Sequence, residues 1–273
     1  MNDFTKKRTW GPTPKYPLVE AYKRPNNDFI VIAGPCSVES EDHIKRMAEI
    51  VAKAGATHLR GGVFRAGTYP GNNFGWIPKP IIKAYHEAAK NNGLKNIVEI
   101  LEYSDQTMEQ LYLYADCYQV GARAQQHYQL LRSISRDEKP IFLKRNTGCT
   151  VDEWLGSAEH LLRSGQANEI FLIERGSSTF HNDVRWTPTP HVIPSIKAIC
   201  NIPVIMDASH STGRRDLVPS MALAGVAAGA SGILVEVHDN PDKSLSDAEQ
   251  AIDPITFEQL MKKVNSVRRA INE

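Results

Sequence analysis

The sequence predicts an α/β protein that folds as a single (β/α)8 TIM barrel behind a short N-terminal extension. Short apolar runs rich in Val, Ile and Leu alternate with segments of helical period, and this alternation repeats eight times. Continuous apolar strands separated by helices are typical of a parallel sheet covered by helices. Eight such units in roughly 250 residues match a closed barrel. The alternative is an open doubly wound sheet, which usually has fewer strands and a Gly-rich fingerprint after the first.

Each candidate strand is a short apolar run, and the segments between these runs have apolar residues spaced as in an amphipathic helix. The candidate strands are Phe29 to Ala33, His58 to Val63, Ile97 to Leu101, Cys117 to Val120, Pro140 to Lys144, Glu169 to Ile173, Pro203 to Met206 and Gly232 to Val235. Candidate helices include Asp42 to Ala54, Lys79 to Asn91 and Val151 to Ser164. Residues 1–28 are polar and contain several prolines, so we expect an N-terminal extension there, a catalytic barrel over 29–273, and no separate regulatory domain.

Composition excludes several classes of partner. Among 273 residues, 32 Lys and Arg nearly balance 31 Asp and Glu, so no global charge would draw the chain to nucleic acid or to a membrane. No apolar run approaches the roughly 18 residues that a membrane-spanning helix needs. The four cysteines are scattered without Cys-x-x-Cys pairing, which suits reduced thiols in a cytoplasmic protein.

Charged residues and potential metal ligands stand at the carboxyl ends of nearly all the candidate strands. In strand order they include Cys36, Arg60, Glu99, Arg123, Lys144, Arg175, Asp207, His210 and Glu236. A (β/α)8 barrel places its chemistry at this end and would gather these side chains on one face. An open sheet would not bring them together, so the two folds differ in the site that they predict.

Three of these residues offer metal-ligand atoms from strands that meet where a barrel closes. Cys36, His210 and Glu236 follow strands 1, 7 and 8, although singly a Cys or His is often only a buried structural residue. Asp247, in the loop after strand 8, could be a ligand, a helix N-cap or a solvated charge. A thiolate, an imidazole and carboxylates suit Mn, Fe, Co or Zn better than Ca or Mg.

Five cations at strand ends point to anionic substrates. Arg60, Arg65, Arg123, Lys144 and Arg175 would face a partly enclosed cleft, where they repel one another unless anions bind between them. The guanidinium fork of Arg also fits carboxylate and phosphate oxygens. We therefore expect small anionic substrates, with the aperiodic loop 70–76 as a lid over them.

The strand-end segments form an ordered series along the chain. They read Ile32-Ala-Gly-Pro-Cys36-Ser-Val-Glu-Ser, Leu59-Arg-Gly-Gly, Gln119-Val-Gly-Ala-Arg123, Leu143-Lys144-Arg145, Glu174-Arg175-Gly, Asp207-Ala-Ser-His210-Ser-Thr-Gly-Arg-Arg and Val235-Glu236-Val-His, followed by Leu245-Ser-Asp247. From about residue 28 to residue 252, this series resembles the 3-deoxy-D-arabino-heptulosonate 7-phosphate (DAHP) synthases, most closely their type I beta branch. The same superfamily contains the 3-deoxy-D-manno-octulosonate 8-phosphate (KDO 8-phosphate) synthases.

The resemblance implies a transferase that condenses phosphoenolpyruvate with an aldose phosphate, erythrose 4-phosphate in the DAHP branch, in the first step of the shikimate pathway. It implies that Cys36, His210, Glu236 and Asp247 hold a divalent metal ion. It also implies substrate binding by Arg60, Arg65, Thr68, Arg123, Lys144 and Arg175, and catalytic roles for Arg65, Lys144, Asp207 and His210. Relatives commonly assemble as homodimers or homotetramers.

One segment departs from the family pattern. The loop after strand 2 reads Arg65-Ala66-Gly67-Thr68, where DAHP synthases carry Lys-Pro-Arg-Thr or Lys-Pro-Arg-Ser. Gly67 removes a cation that the family uses on the acceptor's phosphate. The acceptor is then erythrose 4-phosphate held by another cation such as Arg145 or Arg185, or a different aldehyde, as in a KDO 8-phosphate synthase or a specialised paralogue.

Two further hypotheses come from other classes of protein. In the first, Lys144 forms a Schiff base in an aldolase that needs no metal. In the second, the barrel is a phosphate-binding or regulatory protein without catalytic activity. Chelation of metal and substitution of Cys36 distinguish both from a metal-dependent synthase.

Overall fold

A computed structural model describes residues 15–63, 79–101, 104–163, 165 and 169–272. Its eight strands are parallel and pair in sequence order, and the eighth strand pairs with the first to close a barrel. They are β1 Ile30–Gly34, β2 His58–Arg60, β3 Lys95–Ile100, β4 Cys117–Val120, β5 Ile141–Lys144, β6 Ile170–Glu174, β7 Val204–Asp207 and β8 Gly232–Glu236. The closed sheet confirms the (β/α)8 prediction and excludes the open sheet.

Helices cover the outside of the barrel. Within the described residues they are α1 Pro17–Glu20, α2 Glu41–Lys53, α3 Lys79–Asn91, α4 Asp105–Tyr114, α5 Tyr128–Ile134, α6 Val151–Arg163, α7 Val192–Lys197, α8 Ala208–Thr212, α9 Val218–Ala227 and α10 Pro254–Asn272. Helix α2 shows why the sequence starts a helix where it does. Ser40 caps it by accepting a hydrogen bond from the His43 amide, and Glu41 and Asp42 place negative charge in the first turn.

Successive side chains of each strand point alternately into the barrel and towards the surrounding helices, so the apolar side chains form an inner and an outer layer. Ile30 and Ile32 of β1 point into the barrel with Phe142, Phe171 and other apolar side chains from the remaining strands. The alternate residues, such as Val31, pack between the sheet and the helices. Because the alternation continues to the carboxyl ends of the strands, the next inward position carries a polar side chain in β2 to β8, whereas in β1 it is Gly34.

Strand bounds differ from the predicted ones by a few residues, each for a local reason. β2 ends at Arg60 rather than at Val63, because Gly62 bonds instead to the loop after β1, donating to Cys36 O at 3.0 Å and accepting from Val38 N at 3.1 Å. β3 begins at Lys95, two residues earlier than predicted.

The part of the N-terminal segment that the structure describes lies against the barrel's helices. The backbone amides of Leu18 and Val19 in α1 donate to the carboxylate of Glu159 in α6, at 3.1 and 3.0 Å to Oε2. Among the helices of the described residues, none combines the length and the apolar character needed to cross a bilayer.

Candidate active site

The inward polar side chains meet in a cavity of about 250 Å³ at the carboxyl ends of the strands. The cavity lining includes Cys36, Arg60, Glu99, Gln119, Arg123, Lys144, Asn146, Arg175, Arg185, Trp186, His210 and Asp247. Four of the five predicted cations therefore share one cleft with three of the four predicted metal ligands. Asp207 and Glu236 lie just below this lining, whereas the predicted substrate-binding residues Arg65 and Thr68 lie outside the described residues, as does the loop 70–76.

Cys36, Glu236 and Asp247 form a compact group of potential metal ligands. One atom from each lies within 4.8 Å of the other two, and Cys36 Sγ is 3.1 Å from Asp247 Oδ2. The register of β1 with β8 brings them together, since Gly34 pairs with Glu236 and Cys36 follows two residues later. His210 meets this group at Glu236, where its Nε2 lies 3.3 Å from Oε1.

Asp247 has a backbone conformation that is uncommon for its residue type. Among the described residues, Asp247 is the one non-glycine residue with a positive φ, which is 50°. Such a conformation costs of order 1 kcal/mol or more and is often found at functional sites. Gln250 supports the local geometry by donating to Glu236 Oε2 at 2.8 Å and to Asp247 Oδ2 at 3.4 Å. Sequence reasoning did not identify Gln250, because a glutamine in a loop carries no signal of its own.

Asp207 lies beneath the cavity and links two predicted catalytic residues. Its Oδ2 is 2.9 Å from His210 Nδ1 and 3.2 Å from Lys144 Nζ, and its Oδ1 caps α8 by accepting from the His210 amide. Burial opposes ionisation, but the charges of His210 and Lys144 hold the pKa of Asp207 well below its usual range. Asp207 therefore orients the imidazole, leaving Nε2 directed to Glu236.

The cations are not equally balanced by carboxylates. Arg60 donates to Glu236 Oε1 at 2.7 Å. Arg175, in contrast, forms no ion pair within the described part of the chain and stands over the Trp186 ring at 5.4 Å. Burial lowers the pKa of Arg175 below its ordinary value; the charges of Asp207 and Glu174 oppose this shift, while those of Arg185 and Arg123 add to it. An anion in the cavity would relieve this repulsion.

Arg145 and Arg185, considered above as holders of an acceptor phosphate, occupy different places. Arg145 forms a buried ion pair with Glu174 at 2.9 Å and donates to Cys149 O, away from the cavity lining. Arg185 lines the cavity and lies 3.9 Å from Asp247 Oδ1. Of these two cations, Arg185 is the one that a substrate can reach.

A carboxylate of β3 completes the cavity floor. Gln119 donates to Glu99 Oε2 at 3.2 Å, and a Cβ at Gly121 would stand 2.2 Å from Glu99 Oε1. Glycine at 121 therefore leaves room for this carboxylate. The inward period of β3 predicted its position, but the close approach to Gly121 is visible only in three dimensions.

Fold and site together define a class, the (β/α)8 barrel enzymes with cations and potential metal ligands gathered at the carboxyl ends of the strands. Comparison with known proteins identifies the family. The model of the DAHP synthetase I family matches residues 20–273. The chain belongs to this family.

Individual relatives agree with this assignment. A phospho-2-dehydro-3-deoxyheptonate aldolase of Thermotoga maritima is 37% identical over 246 residues, which are 90% of this chain and 72% of the relative. A 2-dehydro-3-deoxyphosphooctonate aldolase of Desulfotalea psychrophila is 28% identical over 269 residues, 90% and 91% of the two chains. The solved structure of a truncated DAHP synthase from T. maritima superposes with a TM-score of 0.81 at 36% identity, covering 90% of this chain and 88% of that one.

Proposed function

We propose that the protein is a 3-deoxy-7-phosphoheptulonate synthase, which condenses phosphoenolpyruvate with erythrose 4-phosphate. C3 of phosphoenolpyruvate attacks the aldehyde carbon, water adds at C2, and C–O cleavage releases inorganic phosphate. Three carbons from phosphoenolpyruvate and four from the acceptor give the seven-carbon product. The membership in the DAHP synthetase I family supports this reaction over the other classes.

The observation that carries the proposal is the buried Arg175 without a carboxylate partner in the described chain, facing a cavity that Arg123 and Lys144 also line. Phosphoenolpyruvate carries a phosphate and a carboxylate on one small carbon frame, so it needs several cations close together. Arg60, Arg123, Lys144 and Arg175 are assigned to hold it. Fixed cations of this kind also neutralise the charge that moves to the phosphate as the C–O bond breaks.

Lys144, Asp207 and His210 are assigned to the reacting end of the site. Lys144 Nζ lines the cavity and pairs with Asp207, so it can bind an anion while its own position stays fixed. The buried pair between Asp207 and His210 keeps the imidazole in one orientation beside the acceptor aldehyde. The family's fourth catalytic position, Arg65, and the substrate-binding Thr68 are proposed on the resemblance alone.

Cys36, His210, Glu236 and Asp247 are assigned to a divalent metal ion, Mn, Fe, Co or Zn. Four ligand atoms placed tetrahedrally at about 2.1 Å from an ion lie about 3.4 Å from one another. Two contacts of the site are close to this separation: Cys36 Sγ to Asp247 Oδ2 at 3.1 Å and His210 Nε2 to Glu236 Oε1 at 3.3 Å. The donor set therefore fits such an ion. When bound, the metal would act as a Lewis acid on the aldehyde oxygen.

Arg185 is the proposed cation for the acceptor's phosphate, because it lines the cavity while the loop after β2 lacks the family's second cation. This choice keeps erythrose 4-phosphate as the acceptor. The runner-up is a five-carbon sugar phosphate, as in the eight-carbon product of KDO 8-phosphate synthases. The similarity to the D. psychrophila relative supports the runner-up more weakly.

The decisive experiment follows the loss of enol absorbance when the protein, a divalent metal and phosphoenolpyruvate are mixed with four-carbon or five-carbon sugar phosphates. We expect turnover with erythrose 4-phosphate, loss of activity on chelation and recovery on adding Mn²⁺ or Zn²⁺. Turnover only with the five-carbon acceptor would select the runner-up. Full activity after chelation, with substrate trapped on Lys144 by borohydride, would select the Schiff-base aldolase.

The quaternary structure and the cellular location of the protein are also proposed. We propose a homodimer or homotetramer, supported by the exposed Tyr112 and Leu113 on α4, and light scattering of the purified protein tests it. A cytoplasmic location is supported by four buried cysteines, none of them in a disulfide.

A further inference from the structure

A second cluster of ligating side chains lies where α2 faces the segment after β8. His238 Nε2 is 3.1 Å from Glu39 Oε1, and His238 Nδ1 is 3.3 Å from Asp239 Oδ1. His43 stands against His238 with ring centroids 4.6 Å apart. Ligand atoms of Glu39, His43 and His238 all lie within 4.8 Å of one another. None of the three belongs to the cavity of the proposed reaction.

His43 is the unusual member of this cluster. Its side chain is buried, with 3% of its surface exposed, and neither ring nitrogen makes a hydrogen bond within the described chain. Its Nε2 faces Asp239 Oδ1 at 3.4 Å without bonding to it. A buried polar atom that lacks a hydrogen-bond partner destabilises the folded state, because it has given up its bonds to water. Hydrogen bonding between the residues present therefore does not account for an imidazole at this place.

We propose that Glu39, His43 and His238 bind a second divalent transition-metal ion of the zinc class. Imidazole nitrogen and carboxylate oxygen both bind zinc at about 2.0–2.2 Å. Each of the three ligand atoms would therefore have to move by less than about 1 Å towards a shared ion. In the metal-free protein His238 Nδ1 accepts the Asn240 amide at 2.9 Å, so its Nε2 donates to Glu39 Oε1. Metal binding at Nε2 requires the proton to move to Nδ1, where Asp239 Oδ1 at 3.3 Å accepts it in place of the Asn240 contact. Two carboxylates beside the single cation of Arg46 leave a net negative charge that favours a dication.

The second ion would hold the loop that carries Asp247. Glu39 Oε1 accepts the Leu245 amide at 2.8 Å, and Ser37 and Ser246 share a hydrogen bond of 2.8 Å. A metal bridging Glu39 of the β1–α2 loop and His238 after β8 would link the two segments that supply Cys36 and Asp247. The role is structural, since the cluster shares no side chain with the reaction cavity.

Titration of the metal-free protein with Co²⁺ tests the proposal. We expect two equivalents to bind the wild type, one of them with the charge-transfer absorbance of a cobalt thiolate. His43→Gln should bind one equivalent that keeps this absorbance, and Glu39→Gln should do the same. Cys36→Ser should bind one equivalent that lacks it. His86→Gln, a helical histidine near Asp116, is the matched control and should bind two.

A single equivalent in the wild type that carries the cobalt-thiolate absorbance would overturn the proposal, as would two equivalents in both His43→Gln and Glu39→Gln. Circular dichroism of each variant identifies a loss of fold, and the two cluster variants give independent readings. Loss of the thiolate-linked equivalent alone would leave this proposal standing and would count against the reaction site instead. Failure of one site is thereby distinguished from failure of the other.

Discussion

Arg60 and Glu236 form a buried ion pair of 2.7 Å, so a proposed substrate-binding cation and a proposed metal ligand balance each other's charge. Burial works against the guanidinium cation, but Glu236 raises the pKa of Arg60 above its ordinary value. The ion pair between β2 and β8 therefore couples the proposed metal site to the proposed substrate site.

Arg60→Gln should destabilise the metal-free protein by about 3–5 kcal/mol, because it leaves the carboxylate of Glu236 buried without a counter-charge. Saturating Zn²⁺ should reduce this loss, since the ion supplies positive charge at the same carboxylate. Urea unfolding of wild type and variant, with chelator and with Zn²⁺, measures both values. An equal loss in the two conditions would show that Glu236 is not a ligand.

Arg145→Met should cost about 3–5 kcal/mol by the same physical reasoning, because Glu174 is fully buried beside it. The matched control is Arg214→Met, which breaks an exposed pair of 2.7 Å with Asp216 and should change stability far less, because water screens the two charges. Denaturant unfolding of the two variants gives the comparison. Similar losses would mean that burial does not set the strength of these pairs.

Gly34→Ala should be far more costly than Gly93→Ala. Both glycines have positive φ, but a Cβ at 34 would stand 2.2 Å from the backbone oxygen of Arg60, whereas a Cβ at 93 meets nothing within 4 Å. We expect about 1–2 kcal/mol at 93 from the backbone conformation alone. Gly34→Ala should cost at least about 2 kcal/mol more than Gly93→Ala, because the added Cβ would push β2 away from β1. Thermal unfolding with equal losses at the two positions would contradict the contact.

His58 should make stability depend on pH in the weakly acidic range. Burial, with a smaller effect from Lys95, lowers the pKa of His58 to about 4 in the folded protein, against about 6.5 when unfolded. The unfolded chain therefore takes up the proton more readily. The contribution of neutral His58 is intact above pH 6.5 and is lost as pH falls towards 4.

Between pH 7 and pH 5 this loss amounts to about 2 kcal/mol. Urea unfolding of the wild type at the two pH values, compared with His58→Gln, measures it. The variant should lose about 2 kcal/mol less over the same interval. If His58→Gln lost as much stability between pH 7 and pH 5 as the wild type does, the acid sensitivity would belong to other groups.

Much of this molecule could be predicted from local pattern. Apolar runs such as Cys117 to Val120 identified the strands, and the rule that barrel chemistry lies at strand ends located Arg123, Lys144 and Arg175 in one cavity. Bounds were less predictable where a strand end bonds to a distant loop. Gly62 left β2 because its partners, Cys36 and Val38, follow β1.

Pair relationships across the barrel could not be predicted. Sequence alone left Arg145 and Arg185 as equal candidates for an acceptor phosphate. They differ because Arg145 takes the outward position just after the inward Lys144 of β5, where Glu174 neutralises it, while Arg185 comes from a loop that reaches the cavity. The cluster of Glu39, His43 and His238 was likewise hidden, because its members are distant in sequence and only two follow strands.

The pairing of β1 with β8 also determines when the site can exist during biosynthesis. Cys36 and Asp247 are separated by 211 positions, and Glu236 reaches Cys36 only after the last strand has paired with the first. A chain still emerging from the ribosome thus presents the thiol without its carboxylate partners and has no preformed place for the ion. We expect metal capture to be the final event of maturation, so that only a completed barrel acquires the means to react.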